Sequence, residues 1–264
     1  MLKLVATDLD GTLLHSDGSV TDRTRHVLET LDERGITVVF VTGRPIRWMD
    51  DLWEHVGGHG IAICSNGGIV YDVQTHSVVE ARTISREIGL KVAELIRLAI
   101  PGSVFAMEKT DGFAKEPVYR PEAEIPPGLV IGELEDVYGD NVVKLLARHD
   151  SEPPQRFWNE VEDLVGHLVT TTWSSYETDA LVEMSGHGVT KASTLAAYCE
   201  EHGISRDEVV AFGDMPNDLP LLKWAGTSYA MANAHTSVFP DAAHTAPSND
   251  EDGVAVVLEE LFGL

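Results

Sequence analysis

Two aspartates near the beginning of the chain have the type and spacing to carry out chemistry. Asp8 and Asp10 follow the mostly apolar residues 2–6, which are typical of a buried strand. Alternation along an extended strand would aim both carboxylates to one side. Carboxylates this close favour a cation between them, and Mg²⁺ is a hard ion that prefers oxygen ligands. The pair therefore indicates a divalent metal site, although an Asp-Gly turn with acidic capping residues is the ordinary alternative.

Polar residues also follow other predicted strands. The β-branched residues 36–41 lead into Thr42, and residues 61–64 lead into Asn66. Strands that alternate with helices form crossover units and a parallel sheet. Ligands bind beyond the carboxyl ends of the strands in such sheets. We therefore expect Asp8, Thr42 and Asn66 to share one site.

Helices are predicted between and after these strands. Residues 19–34 form one helix with Thr21 as its cap, and Lys191 lies at the start of another in the last third of the chain. Pro45 suits the first turn of a helix that runs to about residue 56. The apolar face of that helix would consist of Trp48, Met49, Leu52 and Trp53. Helical spacing predicts core positions for four tryptophans: Trp48, Trp53, Trp158 and Trp224.

The pattern changes in the middle of the chain. A hairpin is predicted at residues 104–112, a helix at 153–165, and paired strands at 168–173 and 180–184. Hairpins beside helices are typical of an antiparallel sheet with helices on one face. The expected fold is α/β, with a Rossmann-like parallel-sheet core and an inserted α+β cap domain. The predicted boundaries are 1–83 and 186–264 for the discontinuous core and 84–185 for the cap.

Composition restricts the classes of partner. The chain has 264 residues and a formal net charge of −24, which argues against nucleic acid or an anionic membrane as a partner. Solubility or an acid-rich proteome is the ordinary explanation of this charge. Cys64 and Cys199 lack metal-type spacing and are predicted to be packing residues in a reducing compartment. The sequence has no signal-peptide pattern and no apolar run near the ~20 residues of a membrane span, so we expect a cytoplasmic protein. For its oligomeric state we expect a monomer or a homodimer.

Four loops, taken in order, resemble the four motifs of the haloacid dehalogenase (HAD) superfamily. They are Asp-Leu-Asp-Gly-Thr at 8–12, Val-Thr-Gly-Arg at 41–44, the helix start at Lys191, and Gly-Asp-Met-Pro-Asn-Asp at 213–218. The whole chain resembles the Cof-type branch, in which a large α/β cap (type IIB) is inserted between the second and third motifs. The Ser-Asn-Gly-Gly run at 65–68 fits the same branch. The resemblance covers essentially the full length.

The resemblance implies different roles for the two aspartates. Asp8 matches the nucleophile that attacks phosphorus and forms an aspartyl-phosphate. Asp10 matches the general acid/base that protonates the leaving alkoxide and then activates water, which favours a phosphatase or a phosphomutase. The ligands of Mg²⁺ would be the Asp8 carboxylate, the Asp10 backbone carbonyl and Asp214. Asp218 matches a residue that supports these ligands.

The same resemblance implies a phosphate-binding set. Its members are Leu9, Thr42, Gly43, Lys191 and Asn217. The Thr42 hydroxyl and the Gly43 N–H lie at a predicted helix start, where N–H groups favour anions. Lys191 would neutralise charge between the nucleophile and the phosphoryl group. For Arg44 and Asn66 two alternatives stay open, namely substrate contacts or hydrogen bonds that fix the hinge between domains.

The sequence therefore predicts a Mg²⁺-dependent phosphatase acting on a small phosphorylated metabolite, with sugar phosphates expected. One alternative is a phosphomutase similar to phosphomannomutases, which uses the same aspartate chemistry. A second is a phospho-acceptor domain of the receiver type, which needs no cap and has no use for Asp10 as an acid. Substrate specificity would come from the cap. Its cationic candidates for the cleft are Lys109, Lys115, Arg120, Lys144 and Arg148.

Overall fold

The computed structural model describes residues 1–49, 60–120, 126, 128–173 and 180–264. Its strands are β1 (Leu4–Thr7), β2 (Thr37–Val41), β3 (Ile61–Cys64), β4 (Ile69–Asp72), β5 (Ser77–Ala81), β6 (Val104–Lys109), β7 (Gly112–Lys115), β8 (Val130–Ile131), β9 (Val142–His149), β10 (Val169–Thr172), β11 (Ala180–Gly186), β12 (Val209–Gly213), β13 (Thr227–Met231) and β14 (His244–Ala246). Its α-helices are α1 (Asp22–Glu33), α2 (Arg86–Ala99), α3 (Leu134–Val137), α4 (Pro154–Val165), α5 (Lys191–Glu201), α6 (Leu219–Trp224) and α7 (Gly253–Phe262). The strands form two sheets.

The larger sheet has eight strands in the order β14-β13-β12-β1-β2-β3-β4-β5. The strands from β14 to β3 run parallel, whereas β4 and β5 are antiparallel additions at one edge. β1 lies near the centre, between β12 and β2, and all of its residues are buried. A parallel strand covered on both faces requires such a continuous apolar run. The carboxyl ends of β12, β1 and β2 therefore lie side by side.

The smaller sheet has six strands in the order β10-β11-β9-β6-β7-β8. Its neighbouring strands are antiparallel except for β7 and β8. On β9, Leu145 and Ala147 pack with α2 and α4 in one hydrophobic cluster, whereas Leu146 packs with Phe113 and Tyr119 in another. Because successive side chains alternate across a strand, these clusters lie on opposite faces. One face of the smaller sheet is covered by helices, and the other is free to face the larger sheet.

Two helices begin at threonine caps, of which Thr21 is the one predicted above. The Thr21 hydroxyl accepts a hydrogen bond from the Thr24 N–H and caps α1, which buries Val27, Leu28 and Leu31. The Thr190 hydroxyl accepts a hydrogen bond from the Ser193 N–H and caps α5. Both arrangements satisfy N–H groups that a helix start leaves without partners. The second cap places Lys191 in the first turn of α5.

The predicted fold class is confirmed. A parallel-sheet α/β core is interrupted by a second unit of strands and helices, and the chain then returns to complete the core with α5 and β12. The strands β4, β5 and β14 were not predicted. All residues of β5 are exposed, so the strand carries no buried apolar pattern, and β14 has only three residues. β5 and β14 are strands because they pair with β4 and β13, whereas β4 itself buries Ile69, Val70 and Tyr71.

The prediction that Trp48 lies in the core is wrong, because its side chain is 55% exposed. In the described residues a 3₁₀ turn, Ile46–Trp48, follows Pro45, and Met49, another member of the expected apolar face, is fully buried. The rest of that predicted helix, including Leu52 and Trp53, lies outside the described residues. Trp158 and Trp224 are partly buried and pack against hydrophobic clusters, as predicted.

The two cysteines are buried free thiols, as expected of packing residues. Burial raises the pKa of Cys64 to about 12 and that of Cys199 to about 11, so both thiols stay protonated. Among the described residues, we find no helix with the length and apolar character needed to cross a membrane.

Candidate active site

The carboxyl ends of three adjacent strands carry residues singled out in the sequence. Asp8 follows β1, Thr42 follows β2 and Asp214 follows β12. The Asp8 N–H donates to the Phe212 carbonyl at 3.1 Å and so continues the ladder one residue beyond β1. All three side chains are buried. The parallel order of the strands thus brings two carboxylates and a hydroxyl to one edge of the sheet.

Lys191 brings a buried cation to this edge. Its Nζ lies 2.5 Å from Asp8 Oδ1 and 2.7 Å from Asp218 Oδ1. The Lys191 side chain is only 2% exposed. Burial disfavours the ammonium group, but attraction to Asp218 and then Asp8 outweighs this penalty and raises the pKa of Lys191. The lysine therefore stays charged and neutralises part of the acidic cluster.

Asp8, Asp214 and Asp218 form a buried acidic cluster, in which one oxygen from each residue lies within 4.8 Å of the others. Burial, followed by the charge of Asp218, raises the pKa of Asp214 to about 7. The Thr12 hydroxyl donates to Asp214 Oδ1 at 3.0 Å. Asp218 already accepts hydrogen bonds on both oxygens, from Lys191 and from the Asp214 N–H. Closely spaced buried carboxylates are a donor set that suits a hard divalent cation.

Gly11 lies directly against this cluster with a φ of +73°. A Cβ at this position would overlap Asp214 Oδ2, and the positive φ itself disfavours an L-residue. We expect Gly11→Ala to lower the free energy of unfolding by about 1–2 kcal/mol through backbone strain alone. It should also weaken binding of a divalent cation, because the Asp214 carboxylate must move. Urea unfolding and titration with Mg²⁺ measure the two effects.

Gly35 offers a matched control for this substitution. It has the same φ of +73°, but its Cβ would meet no atom within 4 Å. Gly35→Ala should therefore reproduce the backbone strain and leave cation binding unchanged. Equal cation affinity in both variants would show that the contact between Gly11 and Asp214 has no bearing on the cluster.

Asp10 lies apart from the buried cluster, with a side chain that is 58% exposed. Its two carboxylate oxygens pair with the guanidinium of Arg44, with 2.8 Å between Arg44 Nε and Asp10 Oδ2. Both residues line a cavity of about 450 Å³ between the two sheets. Asp8 is thus buried beside a lysine, whereas Asp10 is open to a cavity. The two aspartates have surroundings that suit different chemistry.

Most of the predicted site residues meet at this cavity. Those that line it are Asp8, Asp10, Gly43, Arg44, Asp214 and Asn217. Thr42 is buried beside them, and its hydroxyl accepts a hydrogen bond from the Arg44 N–H at 3.0 Å. The backbone of Leu9 lies between the two aspartates, while its side chain belongs to the core. Lys191 lines a neighbouring cavity of about 310 Å³ and reaches the site through Asp8.

Asn66 is not brought to the main cavity. Its Nδ2 donates to Glu183 Oε2 at 2.7 Å, so the side chain joins the larger sheet to β11 of the smaller one. Asn66 is 3% exposed and has a φ of +56°. Of the two alternatives left open by the sequence, this geometry favours a hydrogen bond between domains over a substrate contact.

Other residues of the cleft were not predicted. Arg47 and Glu108 form a two-pronged ion pair, with 3.0 Å between Nε and Oε2 and 2.7 Å between the second nitrogen and Oε1. These residues are 61 positions apart, and Glu183 lies even further from its partner Asn66, so no local pattern could reveal either contact. Only the packing of the smaller sheet against the larger one brings them together.

The five cationic candidates in the cap lie in different places. Arg120 and Lys144 line the cavity of about 450 Å³. The other three have contacts within the smaller unit: Lys109 with Asp111, Lys115 with the Arg120 carbonyl, and Arg148 with Asp150. Sequence alone could not separate these groups, because charge does not reveal the face of the sheet on which a side chain lies.

Comparisons of the chain with known proteins point to one family. A sequence model described as haloacid dehalogenase-like hydrolase matches residues 5–258. The 5-amino-6-(5-phospho-D-ribitylamino)uracil phosphatase YitU of Bacillus subtilis is 27% identical, over 99% of this chain and 98% of that protein. The phosphoglycolate phosphatase of Methanopyrus kandleri is 31% identical, over 99% of this chain and 98% of that protein.

A solved structure supports the same assignment at the level of the fold. The HAD subclass IIB sugar phosphatase BT4131 superposes with a TM-score of 0.80 at 19% identity, and the match covers 99% of each chain. This likeness agrees with the predicted fold class. Together with the match over residues 5–258, these findings establish that the chain belongs to the haloacid dehalogenase-like hydrolase family.

Proposed function

We propose that the protein is a Mg²⁺-dependent phosphatase that hydrolyses a small phosphorylated metabolite through an aspartyl-phosphate on Asp8. The observation that carries the proposal is the environment of Asp8. Its carboxylate lies at a strand end, 2.5 Å from the Lys191 ammonium and within one buried cluster with Asp214. Phosphoryl transfer depends mainly on positioning and on stabilising charge, which such an arrangement provides. The names of the relatives as phosphatases support the same chemistry.

The metal would be held by the Asp8 and Asp214 carboxylates and by the Asp10 backbone carbonyl. Three buried carboxylates share one buried ammonium, so the cluster has negative charge to spare for a cation. When bound, Mg²⁺ would neutralise charge on the phosphoryl oxygens and on the attacking carboxylate. Asp218 would support these ligands, because its oxygens are already occupied by Lys191 and by the Asp214 N–H.

The reaction would proceed in two displacements. An oxygen of Asp8 attacks phosphorus, and Asp10 donates a proton to the leaving alkoxide. Asp10 then accepts a proton from the water that attacks the phosphorus of the aspartyl-phosphate, which restores Asp8 and releases phosphate. The Thr42 hydroxyl and the N–H groups of Leu9 and Gly43 would donate hydrogen bonds to the phosphoryl oxygens. The exposed position of Asp10 beside the cavity supports its role as the residue that exchanges protons.

The smaller unit would act as a cap. We propose boundaries of 84–185 for the cap, with 1–83 and 186–264 forming the core. The backbone supports the first boundary, since the Arg82 N–H donates to Gly68 next to β4 and the Ile84 N–H donates to Val142 of β9, each at 2.8 Å. A cap above the cavity would exclude water during the first displacement and contact the leaving group.

A screen of phosphorylated metabolites tests the proposed function. We expect release of inorganic phosphate from one or more small phosphate esters, including sugar phosphates, when Mg²⁺ is present. A chelator that removes Mg²⁺ should abolish this release.

Asp10→Asn should slow turnover by about 10²–10⁴-fold, because it removes the general acid. Incubation with a hexose 1-phosphate separates the alternatives, since isomerised hexose phosphate without free phosphate would identify a phosphomutase. If no compound of the panel is turned over in a Mg²⁺-dependent manner, both the phosphatase and the phosphomutase proposals are contradicted.

A further inference from the structure

A buried lysine of the smaller sheet reaches the loop that follows β2. Lys144 lies on β9, is 1% exposed, and donates from Nζ to the Gly43 carbonyl at 2.7 Å. Gly43 is one of the residues proposed to bind phosphate. The same Nζ lies 2.9 Å from Glu183 Oε1 on the neighbouring strand β11. A single ammonium group thus joins two strands of the cap to the phosphate-binding loop.

Glu183 extends this connection back to the larger sheet. Its second carboxylate oxygen accepts the hydrogen bond from Asn66 Nδ2 at 2.7 Å. The Asn66 side chain also packs on Gly43, where a Cβ would lie 3.0 Å from Asn66 Oδ1. The polar chain therefore begins and ends at the same glycine. We use the name cap bridge for three contacts: the ion pair of Lys144 with Glu183, the hydrogen bond from Lys144 to the Gly43 carbonyl, and the hydrogen bond from Asn66 to Glu183.

The backbone around Asn66 holds the other side of the phosphate-binding loop. The Asn66 N–H donates to the Thr42 carbonyl at 3.1 Å, and the Ser65 N–H donates to the Arg44 carbonyl at 2.9 Å. Ser65 and Asn66 have φ angles of +53° and +56°. Residues other than glycine adopt this conformation at a cost, so the surrounding contacts must maintain it. The cap bridge supplies one of those contacts through the Asn66 side chain.

We propose that Lys144 and Glu183 are positioning residues, which hold the phosphate-binding loop in its active geometry only while the cap is seated on the core. This inference rests on the proposed phosphatase function. The charge of Lys144 suggests a direct contact with the substrate, but Glu183 neutralises that charge, and the Gly43 carbonyl occupies a second of the three donors of the ammonium group. The lysine therefore acts on the reaction through Gly43. Cap closure and phosphate binding become coupled events.

Hydrogen exchange tests the coupling without any need for turnover. We expect Lys144→Met to accelerate amide exchange at Ser65 and Asn66 by roughly tenfold or more, because these N–H groups bond to the loop that the lysine supports. Lys115→Met is the matched control, since Lys115 is also a buried cap lysine but bonds to the Arg120 carbonyl within the cap. Unchanged exchange at Ser65 and Asn66 in a folded Lys144→Met protein would overturn the proposal.

Kinetics then distinguishes positioning from direct substrate contact. Lys144→Met should lower kcat on the order of 10²-fold, and by the same factor for phenyl phosphate and for the best metabolite from the screen, because the displaced loop is common to both. Lys144→Arg, which keeps the charge and the donors, should recover part of the activity. A loss confined to KM for the metabolite would assign Lys144 to substrate binding and refute the positioning role.

A double substitution gives an independent criterion and guards against misfolding. If Lys144 and Glu183 act as one unit, the Lys144→Met/Glu183→Met protein should lose no more activity than the worse of the two single variants. Replacing both charges also avoids leaving one of them buried alone, so this protein should fold where a single variant does not. Losses that multiply in the double variant would show two separate functions. If the wild-type protein releases no phosphate, the proposed function fails, while the exchange measurement still decides whether the bridge holds the loop.

Discussion

Replacing Asp8 with asparagine is expected to reduce phosphate release by at least about 10⁴-fold, because the amide cannot act as the nucleophile that forms an aspartyl-phosphate. Asparagine has nearly the same shape and keeps an oxygen to accept the hydrogen bond from Lys191, so the fold should be retained. Steady-state phosphate release measures the loss. Circular dichroism confirms that the variant is folded.

Trapping of the intermediate makes this prediction specific. Rapid acid quenching of the wild-type protein during turnover should leave phosphate on the peptide that contains Asp8, and the Asp8→Asn protein should carry none. Asp250→Asn is a suitable control, since Asp250 is an exposed carboxylate that pairs with Ser16 away from the cavity. Substantial turnover by Asp8→Asn, or phosphate found on another residue, would exclude Asp8 as the nucleophile.

Replacing Lys191 with methionine is expected to have the largest effect on stability. Its ammonium is buried between Asp8 and Asp218, and removal of one partner from a buried ion pair costs about 3–5 kcal/mol. Phosphate release should fall as well, because the phosphoryl group loses its cation. Lys223→Met removes an exposed pair with Asp241 and should change the free energy of unfolding by no more than about 1 kcal/mol. Urea unfolding of both variants without metal tests the contrast.

The loss of stability caused by Lys191→Met should also depend on pH. Burial raises the pKa of the Asp8 carboxyl, and the Lys191 ammonium opposes that rise. A carboxyl whose pKa is raised by folding stabilises the protein while protonated, and this stability is lost as the pH rises through its folded pKa. Without Lys191 the pKa of Asp8 rises further and this loss of stability extends to higher pH, so the difference in unfolding free energy from the wild type should widen as the pH rises from acid to neutral. A difference that is constant over this range would contradict an ionic role for Lys191.

The positions of the central site residues could be predicted because each depends on local sequence. Asp8, Thr42 and Asp214 directly follow short apolar runs, and the runs alternate with helices. Such an arrangement leaves few ways to build a sheet other than with parallel strands, and the carboxyl ends of parallel strands share one edge. The start of α5, which the Thr190 cap fixes, then brings Lys191 to Asp8.

Contacts made across the cleft could not be predicted in this way. Asn66 and Glu183 are 117 positions apart, and Lys144 is 101 positions from Gly43. These pairs depend on how the smaller sheet sits against the larger one, and no periodicity in the chain encodes that placement. The wrong prediction for Trp48 has a different, local cause. Its helical spacing suggested burial, but the residues described directly after Pro45 form a 3₁₀ turn in which the ring is exposed.

β1 precedes the other strands of the larger sheet along the chain, and its pairing is complete only once β12 has been made. During synthesis the nascent chain exposes β1 long before β12 supplies its second neighbour in the sheet. Lys191 follows Asp8 by 183 positions, and Asp214 follows Thr12 by 202 positions. Until those residues leave the ribosome, the edge of β1 stays open and Asp8 lacks its cation, while the contiguous smaller unit can already fold. A prematurely terminated chain would therefore carry Asp8, the proposed nucleophile, in an unfinished sheet without Lys191 and Asp214 beside it.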